Sequence, residues 1–300
     1  MKFNPVTIED RDRLFLIIER SAEPVCDISF ANLFAWSLVY QTEWTIAGIH
    51  TLVIRFRRPG CNQPYFLCPF CSDDQSWTLA IEELSQWQEK EGQPLVFLGV
   101  TPSCQERLER IFPQRFTYCE NDGLMDYIYE RERLASLSGK KLQSKRNHIN
   151  KFLSLYPEHE FRTITLQDIP ALKEFADRWL SESDTQTDSL QQENRVIHRF
   201  LDYYTPLKLM GGILEVQQKI VAFTLGSPIN MNTFDVHIEK ARADIEGAYT
   251  MINREFVRTI PEQYTYINRE EDLGLPGLRQ AKESYHPALK LPKIRATERQ

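Results

Sequence analysis

The 300 residues carry 36 Lys and Arg against 42 Asp and Glu, a net charge of −6, with 42% hydrophobic and 26% charged residues. That balance excludes a disordered chain and a generally basic nucleic-acid coat, and the length can bury a sizeable core in one large or two ordinary domains. No apolar run approaches the roughly 20 residues a membrane helix needs, and the opening MKFNPVTIEDRDRL has acids where a signal peptide has its apolar core, so a cytoplasmic protein is expected.

In the first half, helical spacing predicts helices near residues 8–20, 32–40, 77–89 and 103–112. Alternating or β-branched runs predict strands at 44–56, 65–69, 94–100, 116–118 and 124–129. Trp77, Ala80, Ile81, Leu84 and Trp87 fall on one helical face. In FANLFAWSLVY, Phe30, Leu33, Phe34 and Leu38 fit a buried face better than a membrane-docking one. Six cysteines, Cys26, Cys61, Cys68, Cys71, Cys104 and Cys119, all lie in this half. Cys68-Pro-Phe-Cys71 has the gap of a zinc or redox pair, but no second such pair follows. Reduced, packed thiols and no metal are therefore expected.

Between Glu132 and Glu158 the chain has no acid, while Arg133, Lys140, Lys141, Lys145, Arg146 and Lys151 supply six positive charges. Leu142, Ile149 and Phe152 give this segment an apolar helical stripe. A solvated connecting helix is one reading. The other is a surface for phosphates of a nucleotide, a tRNA end or anionic lipid, with Lys141, Lys145 and Arg146 as contacts.

The second half opens with a strand at 160–165 and a helix at 168–180 with an N-cap Asp168 and an early Pro170. A polar loop at 181–189 and a helix at 190–204 follow. Three closely connected strands, GILEV, KIVAFTLG and TFDVHIEK, predict an antiparallel meander. A helix at 246–260, a strand at 264–269, a helix opening at Pro276-Gly277 and a strand at 288–296 complete the order.

Strand side chains alternate, so Phe234, Val236 and Ile238 are expected on one face and Asp235, His237 and Glu239 on the other. Such a line of titratable groups can raise one member toward the range of a general base, although a solvated sheet face would give the same pattern. In NREEDLGLPGLRQAK, Tyr266, Asn268 and Glu270 alternate with Ile267 and Arg269, so one set can line a cleft. The helix opened by Pro276 presents free N–H groups to an anion, strengthened by Arg279 and Lys282 three apart. A capped surface helix is the plainer alternative.

Three blocks, LSGKKLQSKRNHINKF, HIEKARADIEGAYTMINREF and YINREEDLGLPGLRQAKESYHP, resemble bacterial proteins related to the C-terminal domain of phosphatidylglycerol lysyltransferase, the DUF2156 group. The resemblance implies an α+β protein of two tandem GNAT-like (acyltransferase-type) domains, each a mixed, largely antiparallel sheet flanked by helices. On the residue pattern these are an N-terminal domain at 1–135, a basic connecting helix at 136–157 and a C-terminal domain at 158–300. The related enzymes move an aminoacyl group from aminoacyl-tRNA onto a lipid or a peptidoglycan precursor. The chain departs from the GNAT pattern at 242–248, where a Gly-rich pyrophosphate turn would stand. ARADIEGA has one glycine, and Asp244 and Glu246 would repel phosphates. Aminoacyl-tRNA is thus a better expected donor than acetyl-CoA, with no tightly bound cofactor. The lipid-modifying members also carry a membrane domain absent from this sequence, so a phosphatidylglycerol acceptor is not expected.

The reading is an aminoacyl- or acyltransferase acting on a lipid, peptide or small amine. Glu239, His237 and Glu270 are the candidate catalytic groups. Asp235, Lys240, Tyr266, Asn268, Arg269 and Asp272 are the candidate substrate contacts, and Lys141, Lys145, Arg146, Arg279 and Lys282 would meet tRNA or anionic lipid. An acyl-CoA-dependent N-acyltransferase and a non-catalytic binding module remain the alternatives.

Overall fold

A computed structural model describes residues 1–21, 23–48, 50–182 and 187–299. The chain forms two compact units, the first from Met1–Asp126, Glu271–Leu275 and Lys290–Gln300, the second from Tyr127–Glu270 and Pro276–Leu289. The acid-free segment at 136–157 belongs to the second. Part of the polar loop expected at 181–189, residues 183–186, lies outside the described residues.

The first unit holds helices α1 (Arg11–Ile18), α2 (Phe30–Ala35), α3 (Ser37–Tyr40), α4 (Asp74–Lys90) and α5 (Pro102–Ile111). Its strands are β1 (Asn4–Pro5), β2 (Glu43–Ala47), β3 (Thr51–Arg57), β4 (Pro64–Phe66), β5 (Val96–Val100), β6 (Phe116–Glu130, as far as Asp126) and β12 (Leu289–Glu298). The β-patterned run at 44–56 is a hairpin, turned at Gly48 with φ +57°. Pairing is antiparallel except for β4 beside β5. The last strand of the chain pairs with β5, Ile294 opposite Val100. α4 buries Trp77, Ala80, Ile81 and Leu84 against Phe66, Phe97 and Phe116, and each such large side chain contributes about 1.5–3 kcal/mol. Asp73 caps α4 by accepting from the Ser76 N–H at 2.7 Å.

The second unit holds α6 (Arg131–Ser136), α7 (Gln143–Leu155), α8 (Ile169–Ser181), α9 (Asp188–Asp202), α10 (Ala248–Thr259) and α11 (Pro276–Glu283). The remainder of β6 runs beside β11 (Tyr266–Asn268), then come β10 (Thr233–Ala241), β9 (Lys219–Pro228), β8 (Met210–Val216) and β7 (His159–Thr163). Again one pair, β10 with β11, is parallel within an otherwise antiparallel sheet. The pair brings Asp235 opposite Asn268 at the end of β11.

α10 starts at Gly247, whose φ of +82° few other residues adopt. A Cβ there would stand 2.9 Å from the His148 carbonyl and 3.0 Å from Phe152, both on α7. The lone glycine of the 242–248 turn is therefore fixed by helix packing.

Candidate functional site

β10 does not alternate throughout. Val236 pairs with Gly226 and Ile238 with Leu225, which leaves His237 as the extra residue of a β-bulge. A bulge adds one residue to the period of two, so every side chain after it changes face. Phe234 packs on Phe256 of α10, and Glu239 accepts from Asn253 of that same helix at 2.8 Å. His237 stacks on Phe200 of α9, and Lys240 reaches Glu193 of α9 at 2.9 Å. The expected line Asp235–His237–Glu239 is thereby corrected: Glu239 lies on the opposite face from His237.

On the α9 side, the His237 imidazole is completely buried and its ring lies nearly parallel to Phe200, centroids 5.1 Å apart. Its Nδ1 stands 3.2 Å from both Asp235 Oδ2 and Glu270 Oε1, and its Nε2 is 2.8 Å from Ser227 Oγ. Burial by itself would depress its pKa, but the Asp235 and Glu270 carboxylates outweigh it and hold the value up at about 9. A value above neutrality favours the imidazolium, a form that cannot accept a proton. Asp235 is fully buried, whereas 24% of the Glu270 side chain is exposed. Glu270 adopts φ +57°, and its N–H bonds to Asn268 Oδ1 at 2.7 Å. Asn268, buried opposite Asp235 in the parallel pair, thus stabilises the left-handed turn that presents Glu270.

On the α10 side, Arg269 donates to Glu239 Oε1 at 2.8 Å and lies over the rings of Tyr285 and Tyr129. Arg269 Nη1 and Asn253 Oδ1 are buried without a hydrogen-bond partner. The Lys145 ammonium sits 4.0 Å from the centre of Tyr285. Burial, and then the like charge of Arg269, bring its pKa down to about 8.

The other expected phosphate contacts scatter. Arg146 is bonded to the Leu137 and Gly139 carbonyls that follow α6 and to Gln143, a structural use that corrects its expected exposure. Lys282 is buried and donates to the Arg269 carbonyl, so it does not extend a phosphate face. Arg279 is half-buried and Lys141 exposed. Tyr266 is also exposed, and Lys240 lies over Trp179 at 3.7 Å. Asp272 belongs to the first unit, where it accepts from the Gly274 N–H at 2.8 Å and closes a turn.

The first unit holds a charge cluster of its own that the residue pattern did not point to. Lys293 of β12 is sealed, 2% of its side chain exposed, with Asp27, Glu271 and Asp126 carboxylates at 2.5, 2.6 and 2.8 Å. Its Nζ also donates to Cys26 Sγ at 3.1 Å, and the Cys26 N–H bonds to Asp126 at 2.7 Å. Burial chiefly, with Asp27 and Asp126 adding to it against the pull of Lys293, raises Glu271 to about 7. Burial would lower the Lys293 pKa, but Asp126 and Asp27 hold it well above the ordinary lysine value. In the same unit Cys68 and Cys104 form a disulfide. The expectation of six reduced thiols is corrected, because the chain after β4 passes beside the start of α5. Ser227, Phe200, Asn253, Tyr129 and Tyr285 also went unrecognised as site residues in the sequence, although Asn253 and Tyr285 lay in blocks already singled out.

The profile of the family described as "Phosphatidylglycerol lysyltransferase, C-terminal" matches residues 18–297. A solved structure of a conserved protein of unknown function from Bacteroides thetaiotaomicron is 41% identical, covers 100% of both chains and superposes with a TM-score of 0.96. L-PGS from Bacillus licheniformis is 16% identical over 96% of this chain and 92% of its own, with a TM-score of 0.67, a likeness of fold. An uncharacterized protein of Mycoplasmoides gallisepticum is 26% identical over 172 residues, 56% of this chain and 54% of that relative's length. The α+β fold, with its largely antiparallel sheets, is GNAT-like. Among the described residues no helix is long and apolar enough to cross a membrane.

Proposed function

The chain belongs to the family of the phosphatidylglycerol lysyltransferase C-terminal domain, and on that premise we propose that its second unit moves an aminoacyl group from aminoacyl-tRNA to an amine or hydroxyl of a lipid, peptide or small molecule. The observation that carries this reading is the part-exposed Glu270 carboxylate, oriented by the buried imidazolium of His237 and by Asn268. In this mechanism Glu270 takes the proton of the acceptor as its N or O attacks the ester carbonyl. The C–O bond to the tRNA ribose then breaks, and the ribose oxygen leaves as a hydroxyl once protonated. His237 does not take part as a base. It keeps Glu270 in one place.

Charge favours an aminoacyl over an acetyl group. The carboxylates of Asp235 and Glu270 stand together at this site, and a carboxylate can receive the ammonium of an amino acid but offers nothing to a methyl. The 242–248 turn supports the same preference. Arg242 is held by Asp244 at 2.6 Å, Glu246 by Lys151 at 2.7 Å, and Gly247 is packed against α7. Few groups there remain to bind a pyrophosphate. Lys140, Lys141 and Lys145 are left as the cations for tRNA phosphates, without Arg146.

The test is transfer of radiolabel from a mixture of charged tRNAs to phosphatidylglycerol vesicles, peptides or simple amines. Labelled product is expected, falling about 10²–10⁴-fold in Glu270→Gln with unchanged circular dichroism. Label that stays on tRNA with every acceptor, while acetyl-CoA is consumed, would overturn the reading.

A further inference from the structure

Beside the start of α4 in the first unit, three side chains of different chemistry converge. His50 ends the β2–β3 turn, Cys71 follows β4 and Asp73 caps α4. A bridge between Leu52 and Phe70, with hydrogen bonds of 3.2 and 2.8 Å, sets the first two side by side. Cys68 is removed from this group by its disulfide to Cys104.

We propose that His50 Nε2, Cys71 Sγ and Asp73 Oδ2 form a binding site for a divalent transition metal, best suited to Zn²⁺, with its fourth position open to solvent. The three atoms lie within 4.8 Å of one another, the compactness a single ion requires. His50 Nε2 is 2.9 Å and Cys71 Sγ 3.0 Å from the same Asp73 oxygen, so both now share one acceptor that an ion would bridge. A nitrogen, a sulfur and an oxygen are the donors zinc takes in tetrahedral sites, whereas Mg²⁺ and Ca²⁺ require oxygen. Sites with three protein ligands and one open position characterise reactive or exchangeable zinc.

The surroundings hold the ligands in place. Asp73 divides its carboxylate, Oδ1 accepting from the Ser76 N–H at 2.7 Å and Oδ2 facing the other two ligands. Arg107 fixes the Cys71 carbonyl at 2.9 Å, and Trp77 donates to the Pro69 carbonyl at 2.9 Å. The neighbouring Asp74 is neutralised by Arg107 and Arg110 and does not compete. On binding, the Cys71 thiol releases its proton to solvent. Thiolate and carboxylate then balance the two positive charges of the ion, with His50 neutral.

Calorimetric titration of the folded chain with Zn²⁺ near neutral pH, without reductant and under nitrogen, tests the site. One equivalent should bind, Mg²⁺ should not compete, and His50→Ala and Cys71→Ala should each weaken binding at least tenfold. Co²⁺ should give a thiolate-to-metal charge-transfer band that Cys71→Ala abolishes and Cys61→Ala, a change at another half-buried thiol, retains. No Zn²⁺ binding by the unmodified chain, or unchanged binding in either His50→Ala or Cys71→Ala, would overturn the proposal.

Discussion

Each unit buries a cation against two or more carboxylates, and the two arrangements differ in what surrounds that cation. In the second unit His237 sits between Asp235 and Glu270, and Glu270 reaches solvent from a strained turn. In the first, Lys293 is enclosed by Asp27, Asp126 and Glu271. In the first unit, burial chiefly, with Asp27 and Asp126 adding to it, raises Glu271 to about 7. The arrangement around Lys293 is a structural clasp that fastens β12 to the segment before α2 and to β6.

The sharpest way to break this contrast is Lys293→Met. Removing the ammonium strands the buried Asp126 and the half-buried Asp27 and Glu271, so a loss of about 3–5 kcal/mol is expected in urea unfolding. A loss below about 1 kcal/mol would mean that the cluster does not fasten the first unit.

A somewhat smaller effect should come from His237, through pH. Its folded pKa of about 9 exceeds the ordinary 6.5, so the native state holds this proton more tightly than the unfolded chain does. The stabilisation is complete below about pH 6.5 and is lost as pH rises through about 9, an amount of at most about 3 kcal/mol. Thermal unfolding across that window should show the decline, and His237→Gln should flatten it. For Glu271, also raised, the corresponding loss runs lower, as pH climbs from about 4.5 through 7.

The smallest effects separate the cations of the basic segment. Arg146→Ala removes bonds to two backbone carbonyls and should destabilise by about 1–2 kcal/mol. Lys141→Ala, on an exposed side chain, should change stability by less than about 0.5 kcal/mol. Equal losses in chemical denaturation would erase the distinction between a capping arginine and a solvent-facing lysine.

Much of the architecture is readable from local pattern. α8 announces itself through Asp168, Pro170 and the stripe Leu172, Phe175 and Ala176, all buried as spaced. α4 does so through Trp77, Ile81 and Leu84. What local pattern omits is any departure from period. Nothing in TFDVHIEKA marks His237 as a bulge, because an inserted residue alters pairing without altering composition. Glu239 was thus grouped with His237 although Asn253 and Arg269 hold it on the other face. Glu270 was legible as part of an acidic strand end. The His237 partners Ser227 and Phe200 were not, since they arrive from β9 and α9 by tertiary packing alone. Lys293 was not singled out, for charge in sequence gives no sign of burial.

The pairing of β12 with β5 has a consequence for how the chain is made. Ile294 must find Val100 after nearly 200 intervening residues have been synthesised. The strand segments of the second unit, by contrast, all lie between Tyr127 and Asn268. Emerging from the ribosome, the chain can pair those segments while β5 still lacks its β12 partner. Domains commonly finish in N-to-C order; here the part begun first is completed last. Until then the free edge of β5 stays open to foreign strands, which makes nascent chains stalled before Leu289 the species most exposed to misassociation.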